Sequence, residues 1–254
     1  MNIVWFKRDL RLADHLPLES ANKHSDSTLA LIIVEPNLWS LEDLSFRQYQ
    51  FYIQSISDLK LSCEKHSIPL VIKVGDSREV FKSLHQKYKI KNIFSHQETW
   101  NNWTYKRDTE LKNWFKKNYI NWKEYRQFAV FRNLSTRDAW SKQWNSHMNK
   151  SIIQINFQNN FLKENSDEMP MPSTFFADQD HNNLRYKGGR TEALLVLKSF
   201  FDHRGYNYYK ELSSPLTAEA ACSRLSPYIS FGCLSIREVY QYTKNESELL
   251  KTKS

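Results

Sequence analysis

The chain has 254 residues, 40% of them hydrophobic and 25% charged, enough for one large or two small domains around a real core. Its net charge of +8 permits a polyanionic partner such as nucleic acid. No apolar run approaches the roughly 20 residues of a membrane span, Met1 to Arg8 lacks the layout of a signal peptide, and three dispersed cysteines make neither a disulfide framework nor a zinc site, which predicts a reducing, cytoplasmic setting.

From the N-terminus, Ile3 to Phe6 predicts a first strand that ends in the charge cluster Lys7-Arg8-Asp9-Leu10-Arg11, with Asp14-His15 just beyond. Paired surface charges usually neutralise one another, so the expectation is an ion-pair network in which Asp9 orders Arg8 and Arg11; the competing expectation is a ligand site, since ligands of a doubly wound sheet bind where strands end. Leu29 to Val34 is continuously apolar, as a strand covered on both faces is. Ser45 caps a helix whose apolar positions Phe46, Tyr49, Ile53, Ile56 and Cys63 recur at helical spacing. A third strand, Leu70 to Val74, stops at Gly75-Asp76, and Val80, Phe81, Leu84 and Tyr88 mark the next helix. Lys91 to Ser95 is a fourth strand, Leu111, Trp114 and Phe115 belong to the helix after it, and Trp122 to Tyr125 is a fifth strand. Strictly alternating strands and helices predict an α/β fold, a doubly wound parallel five-stranded sheet.

Between the fourth strand and its helix, Trp100, Trp103 and Tyr105 sit beside Lys106 and Arg107, a mixture that stacks rings or packs a helix; Lys112, Lys116, Lys117 and Lys123 are most simply a solvated face. A helix is predicted from Arg137 to Met148, followed by a polar linker from about Asn149 to Lys187 that drapes over the surface. Beyond Gly188-Gly189 the pattern turns helical: Leu194, Leu195, Leu197, Phe200 and Phe201 form an apolar set stopped by Gly205. Tyr206, Tyr208 and Tyr209 offer hydroxyls for phosphate or ribose, or a helix contact.

The segment Cys222-Ser223-Arg224-Leu225-Ser226-Pro227 joins hydroxyls and a guanidinium to a proline suited to a first helical turn, a composition that seats a pyrophosphate and equally makes plain caps. Gly232 ends this short helix, and Ser235 with Glu238 opens the next through a capping box. The five glycines form neither a G-x-G-x-x-G fingerprint nor a Walker loop, no G-x-S-x-G elbow exists, and the eight histidines show no metal-ligand spacing, so no metal and no catalytic residue is assigned.

Taken together, Trp5 to Leu12, Gly188-Gly189 with Glu192-Ala193-Leu194, and Ser223 to Tyr228 through Phe231-Gly232, Leu234-Ser235 and Arg237 resemble the photolyase/cryptochrome family over residues 1 to about 242. The resemblance implies an α/β antenna domain over 1–135, a helix and linker over 136–187, and over 188–254 the first part of an all-helical FAD domain. It implies light-driven repair of pyrimidine dimers in DNA by electron transfer from reduced FAD, or alternatively non-catalytic light sensing or a chromophore- or nucleotide-binding module. By the same resemblance Tyr209, with Tyr206 and Tyr208 competing for its role, and Cys222, Ser223, Arg224, Leu225 and Ser226 hold the FAD, Cys222 standing where many relatives carry Thr. Relatives are about twice as long, so the resemblance implies an incomplete flavin pocket, impaired repair and a missing C-terminal half as partner. An antenna chromophore is implied without identity, because the Asn-Glu pair that binds a folate in some relatives has no counterpart around Trp100 to Arg107.

Overall fold

Alternate side chains of a strand point to opposite faces, and in the first strand both sets are apolar: Val4 and Phe6 enter one core, Ile3 and Trp5 the other. The computed structural model of the chain describes residues 1–132, 136–157, 160–177 and 186–252, with side chains up to residue 246. In chain order the elements are β1 (Asn2–Phe6), α1 (Leu16–Asn22), β2 (Thr28–Val34), α2 (Pro36–Trp39), α3 (Phe46–Lys65), β3 (Leu70–Val74), α4 (Ser77–Tyr88), β4 (Asn92–His96), α5 (Asn102–Lys117), β5 (Asn121–Tyr125) and α6 (Trp140–Met148). A 3₁₀ turn (Pro172–Thr174), α7 (Arg190–Ser199), a five-residue π segment (Phe200–Arg204), α8 (Tyr208–Glu211), α9 (Ala218–Ala221), α10 (Ser226–Ser230) and α11 (Ile236–Thr252) follow.

The five strands form one parallel sheet in the order β3-β2-β1-β4-β5, with β1 paired to both β2 and β4. Strand order reverses between β1 and β4, so loops leaving these two strands diverge and create the crevice typical of open α/β sheets. Phe81 and Leu84 of α4 and Leu111 and Phe115 of α5 cover one face. The other is covered by α3 and, in the same core, by Ala193, Leu197, Leu225, Tyr228, Phe231 and Leu234. The helical region beyond residue 188 therefore shares its core with the sheet.

Gly188 makes that junction possible: a Cβ there would lie 2.1 Å from the Phe51 carbonyl oxygen of α3. Around it, Asp58 of α3 accepts from the Arg190 backbone N–H at 2.9 Å and from the Thr191 hydroxyl at 2.6 Å, and so caps the start of α7. Arg190 in turn pairs with both oxygens of Glu238. The Ser235–Glu238 capping box is formed, Ser235 Oγ accepting from the Glu238 N–H at 3.0 Å and Glu238 Oε2 from the Ser235 N–H at 2.8 Å.

The polar segment after α6 does run over the surface, and it covers an edge. Ser166 Oγ accepts from Ile72 N, Asp167 N donates to the Ile72 carbonyl and Asp167 Oδ2 accepts from Val74 N, so the outer side of β3 is paired. Residues 158–159 and 178–185 of the predicted linker, and 133–135 at the predicted domain boundary, lie outside the described residues. The helix predicted from Arg137 begins at Trp140, after a turn closed by Trp140 N on the Arg137 carbonyl. The apolar set predicted for the next helix is only partly covered: Leu197 is buried, whereas Leu194 and Leu195 are 45% and 59% exposed.

Candidate phosphate-binding loop and its brace

The loop from Cys222 to Ser226 turns sharply between two short helices. Arg224 makes the turn by adopting a left-handed backbone, φ +58°, a conformation costly for a residue with a Cβ. Arg204, the last residue of the π segment, holds the loop from beneath. Its Nη1 donates to the Cys222 carbonyl at 2.5 Å, and its Nη2 reaches the carbonyls of Val196 at 2.9 Å and Ser223 at 3.4 Å and the Ser199 hydroxyl at 3.0 Å. Arg224 Nη2 donates to the Glu219 carbonyl at 2.5 Å. Among the described residues neither guanidinium has a carboxylate partner, and burial followed by the nearby Arg224 pushes the Arg204 pKa down. Two cations that disfavour one another around a turn are relieved by a shared anion. Ser223 is half-buried and Ser226 exposed, so both hydroxyls are within reach of a ligand.

The other residues read from the sequence take different places. Leu225 is buried, so only its backbone is offered to the loop, and the Cys222 thiol, 3.9 Å from the Glu219 carbonyl, is half-buried. Tyr209 is 77% exposed on α8, with Lys210 Nζ 5.5 Å from its ring. Tyr208 packs edge-on against Phe200 at 5.4 Å. Nothing in the sequence singled out Arg204; the signal available was a lone arginine at the end of an apolar helical run, where its side chain has carbonyls and no acid to meet.

The N-terminal charge cluster is not the ion-pair network expected of it. Asp9 pairs with neither Arg8 nor Arg11. Its Oδ1 accepts from the Lys7 backbone N–H at 2.7 Å, while Oδ2 lies 2.9 Å from His15 Nε2 and 2.7 Å from His96 Nδ1. The preference for hydrogen bonds over ion pairs has a geometric reason: the turn after β1 points Asp9 inward, under β4, where His96 ends the strand. The ligand-type atoms of these three buried residues lie within 4.8 Å of one another, a grouping that sequence spacing does not show. Because His15 Nδ1 accepts from the Leu18 N–H, Nε2 carries the ring proton and faces Asp9 Oδ2 at 2.9 Å, an arrangement that leaves no free lone pair on this ring for a metal. Burial pushes His96 down to about 3 and also lowers His15, so both rings are neutral. Burial opposes charge on Asp9, but its electrostatic interaction with the adjacent His15, followed by the polar contacts of His15 and His96, outweighs it and holds the carboxyl well below its ordinary range.

The two arginines leave Asp9 to brace the loop region. Arg11 donates to the carbonyls of Gly232 at 2.9 Å and Asp14 at 3.1 Å. Arg8 donates to the Ser230 hydroxyl and lies over the Trp100 ring, 4.3 Å from its centre. Leu10 N closes on the Phe231 carbonyl, and Asp14 pairs with Arg237 of α11. Arg107, read from the sequence as part of a ring-stacking or helix-packing mixture, is buried between Glu35, Glu98 and Asp108. With Arg8, Trp39 and Trp100 it fills the crevice beside β1, leaving about 20 Å³.

The sequence profile described as DNA photolyase matches residues 2–139, more than half of the chain. The chain belongs to the DNA photolyase family. Among curated relatives of this family, a deoxyribodipyrimidine photo-lyase of Buchnera aphidicola is 25% identical over 98% of this chain and 55% of its own. A cryptochrome DASH of Synechocystis is 26% identical over 95% of this chain and 54% of its own. The chain thus spans about half the length of the curated relatives it matches. Among solved structures, the Synechocystis cryptochrome superposes with a TM-score of 0.78 at 24% identity, covering 98% of this chain and 56% of its own. An archaeal photolyase from Sulfolobus tokodaii, solved with two FAD molecules, gives 0.68 at 21% identity, covering 99% of this chain and 57% of its own. The fold is that of these proteins from β1 through the loop at Cys222 to Ser226.

Proposed function

We propose that this chain is the flavin-phosphate-binding part of a photolyase- or cryptochrome-type flavoprotein that acts on pyrimidine dimers in DNA. The observation that carries the reading is the loop at Cys222 to Ser226, held from beneath by Arg204 and flanked by Arg224, neither guanidinium being paired with a carboxylate among the described residues. The donor set suits FAD phosphates: the loop carries the Arg224 guanidinium and the hydroxyls of Ser223 and Ser226, with the Arg204 guanidinium beneath it, donors of the kind a diphosphate needs. Tyr209 contributes a hydroxyl from α8. FAD, when bound, supplies the light-driven electron transfer; the chain's own residues bind and orient its diphosphate and hold the loop against the sheet. The exposed side chains of Leu194, Leu195 and Leu216 are the surface on which further helical chain, of the kind present in the longer relatives, packs.

The test is reconstitution of the purified chain with FAD, followed by illumination with an oligonucleotide carrying a thymine dimer. Stoichiometric flavin retention with dimer reversal supports the repair reading. Retention without reversal supports light sensing instead, and absence of flavin binding, with folding intact, overturns both.

A further inference from the structure

The two edges of the sheet differ. At β3 the strap around Asp167 bonds to the outer side of the strand. β5 has no such cover among the described residues, and β4 is its one partner strand. None of its five residues is buried, whereas β1 and β2 are buried throughout. An edge of this kind presents unpaired backbone groups as a template for another strand.

The free groups follow from the ladder. Asn121 N donates to the Lys91 carbonyl at 2.9 Å, and the Tyr125 carbonyl accepts from Gln97 N at 2.7 Å. Alternate residues of a parallel strand turn their backbone groups to the same neighbour. Those of Asn121, Lys123 and Tyr125 therefore face β4, and those of Trp122 and Glu124 face outward. Above this edge stands one flank of α5. Leu111 and Phe115 seat the helix on the sheet, and Trp114 meets His85 of α4 with 6.2 Å between ring centres. At about 100° per residue, Lys112 and Lys116 lie on the flank opposite Trp114, over β5. Both are exposed, and among the described residues neither makes an ion pair, unlike Lys73, Lys87 and Lys91. On the other face of β5, Lys123 Nζ lies 5.7 Å from the centre of the Phe94 ring.

Lys112 and Lys116 are one turn apart, about 6 Å along α5, and Trp122 and Glu124 are about 7 Å apart along the strand. Side chains at alternate positions of an added strand have that same spacing. Carboxylates two residues apart can thus meet the two lysines while the backbone between them bonds to Trp122 and Glu124. A second copy of β5 would instead set lysine against lysine, and like charges across a strand pair are unfavourable. Glu124 shares the face of α5, where burial raises its carboxyl and so favours the uncharged form. The molecule covers its other edge by the same chemistry: in the strap, Asp167 accepts from Val74 N and meets Lys73, and Glu164 meets Lys87.

We propose that β5 is a docking edge for an extended acidic segment of a partner protein, added as a further strand of the sheet with carboxylates at alternate positions on Lys112 and Lys116. The test is titration of the full chain with an eight-residue peptide of alternating valine and aspartate, followed by calorimetry and by amide hydrogen exchange at Trp122 and Glu124. The peptide is expected to bind and to slow exchange at these two amides by about tenfold or more, as closing a free edge does. The same peptide N-methylated at every residue keeps its charge and loses its donors, and is expected not to bind; nor is a peptide of alternating valine and lysine. Lys112→Glu combined with Lys116→Glu changes two exposed residues, and is expected to weaken the acidic peptide by about threefold or more with the thermal midpoint preserved. No binding of the acidic peptide, equal binding of either control peptide, unslowed exchange at Trp122 and Glu124, or unchanged affinity in the double variant overturns the proposal. Dimerisation that slows the two amides without peptide assigns the edge to a second copy, and oligothymidine binding more tightly than the peptide while leaving them unslowed assigns the lysines to nucleic acid; either result overturns it as well. The proposal does not rest on the flavin reading, and FAD enters none of these readouts.

Discussion

Arg11 donates to the Gly232 carbonyl at 2.9 Å, across 221 positions of sequence. The bond couples the loop leaving the first strand to the turn that follows α10. Two further contacts repeat the connection, Leu10 N on the Phe231 carbonyl and Arg8 on Ser230. The loop proposed to hold phosphates is thereby positioned by the sheet.

Gly232 is the tightest point of that connection. Its φ is +67°, and a Cβ there would lie 2.3 Å from the Arg8 carbonyl oxygen and 2.5 Å from Asp9 Cα, both backbone atoms. Gly232→Ala is expected to destabilise the chain by about 2–4 kcal/mol, combining overpacking with the left-handed penalty, read as a lower urea midpoint at unchanged slope. A loss below about 0.5 kcal/mol, the range of an ordinary surface change, would show that the two loops are not held together in solution.

Arg204 separates positioning from charge. Lysine keeps the cation but cannot reach Val196, Ser199, Cys222 and Ser223 together, since it lacks the planar fork. Arg204→Lys is expected to weaken FAD binding by about tenfold or more, on the scale of one lost charged hydrogen bond, in a titration of flavin fluorescence. Ser226→Ala, which removes one exposed hydroxyl, is expected to cost less. Equal losses in the two variants would assign the effect to the phosphate contact and not to the brace.

The buried histidines give the chain an acid limit. His96 protonates at its ordinary 6.5 when unfolded and only near 3 when folded, so between these values the unfolded state binds more protons. Stability therefore rises with pH across this window and is lost as pH falls from 6.5 towards 3, by up to about 1.4 kcal/mol per pH unit for one such group. The lowered pKa of His15 acts in the same direction. His96→Asn retains an N–H for Asp9 and removes the titration, so a plot of unfolding free energy against pH should lose about one proton's slope there. An unchanged slope would place the acid sensitivity elsewhere.

The strap over β3 is expected to matter for protection more than for stability. Asp167→Ala removes the acceptor for Val74 N and the ion pair with Lys73. Exposed pairs contribute little, so the melting midpoint should barely move, while limited proteolysis within residues 160–170 accelerates several-fold through easier local opening. Unchanged cleavage kinetics would mean that the backbone contacts at Ile72 suffice.

All five strands were legible in the sequence to within one residue at either end; β1 and β2, buried along their length, are nearly continuous apolar runs, and Gly75-Asp76 punctuates β3. The caps at Ser45 and Ser235 were legible too, since a cap is a contact over three residues. What escaped was set by distance along the chain. Asp9 meets His96 across 87 positions, and no local pattern distinguishes a histidine at a strand end from an ordinary one. Arg107 read only as a base beside aromatics, because its partners Glu35 and Glu98 lie just past the ends of two strands and no local spacing links them to it. At the loop, Ser223, Arg224 and Ser226 were read from composition; Arg204 was not, because its partners are carbonyls, which every residue has.

The bond between Arg11 and Gly232 also carries a consequence for biosynthesis. A ribosome releases residue 11 long before residue 232 exists, so a buried guanidinium must wait through 221 positions of synthesis without its acceptor. The pairing of Asp167 with β3 imposes a similar delay on one edge of the sheet. Nascent chains of this protein therefore expose a charged, unfinished junction until α10 has emerged, a late closing step of the kind that high contact order makes slow and that leaves partly synthesised chains open to capture by chaperones.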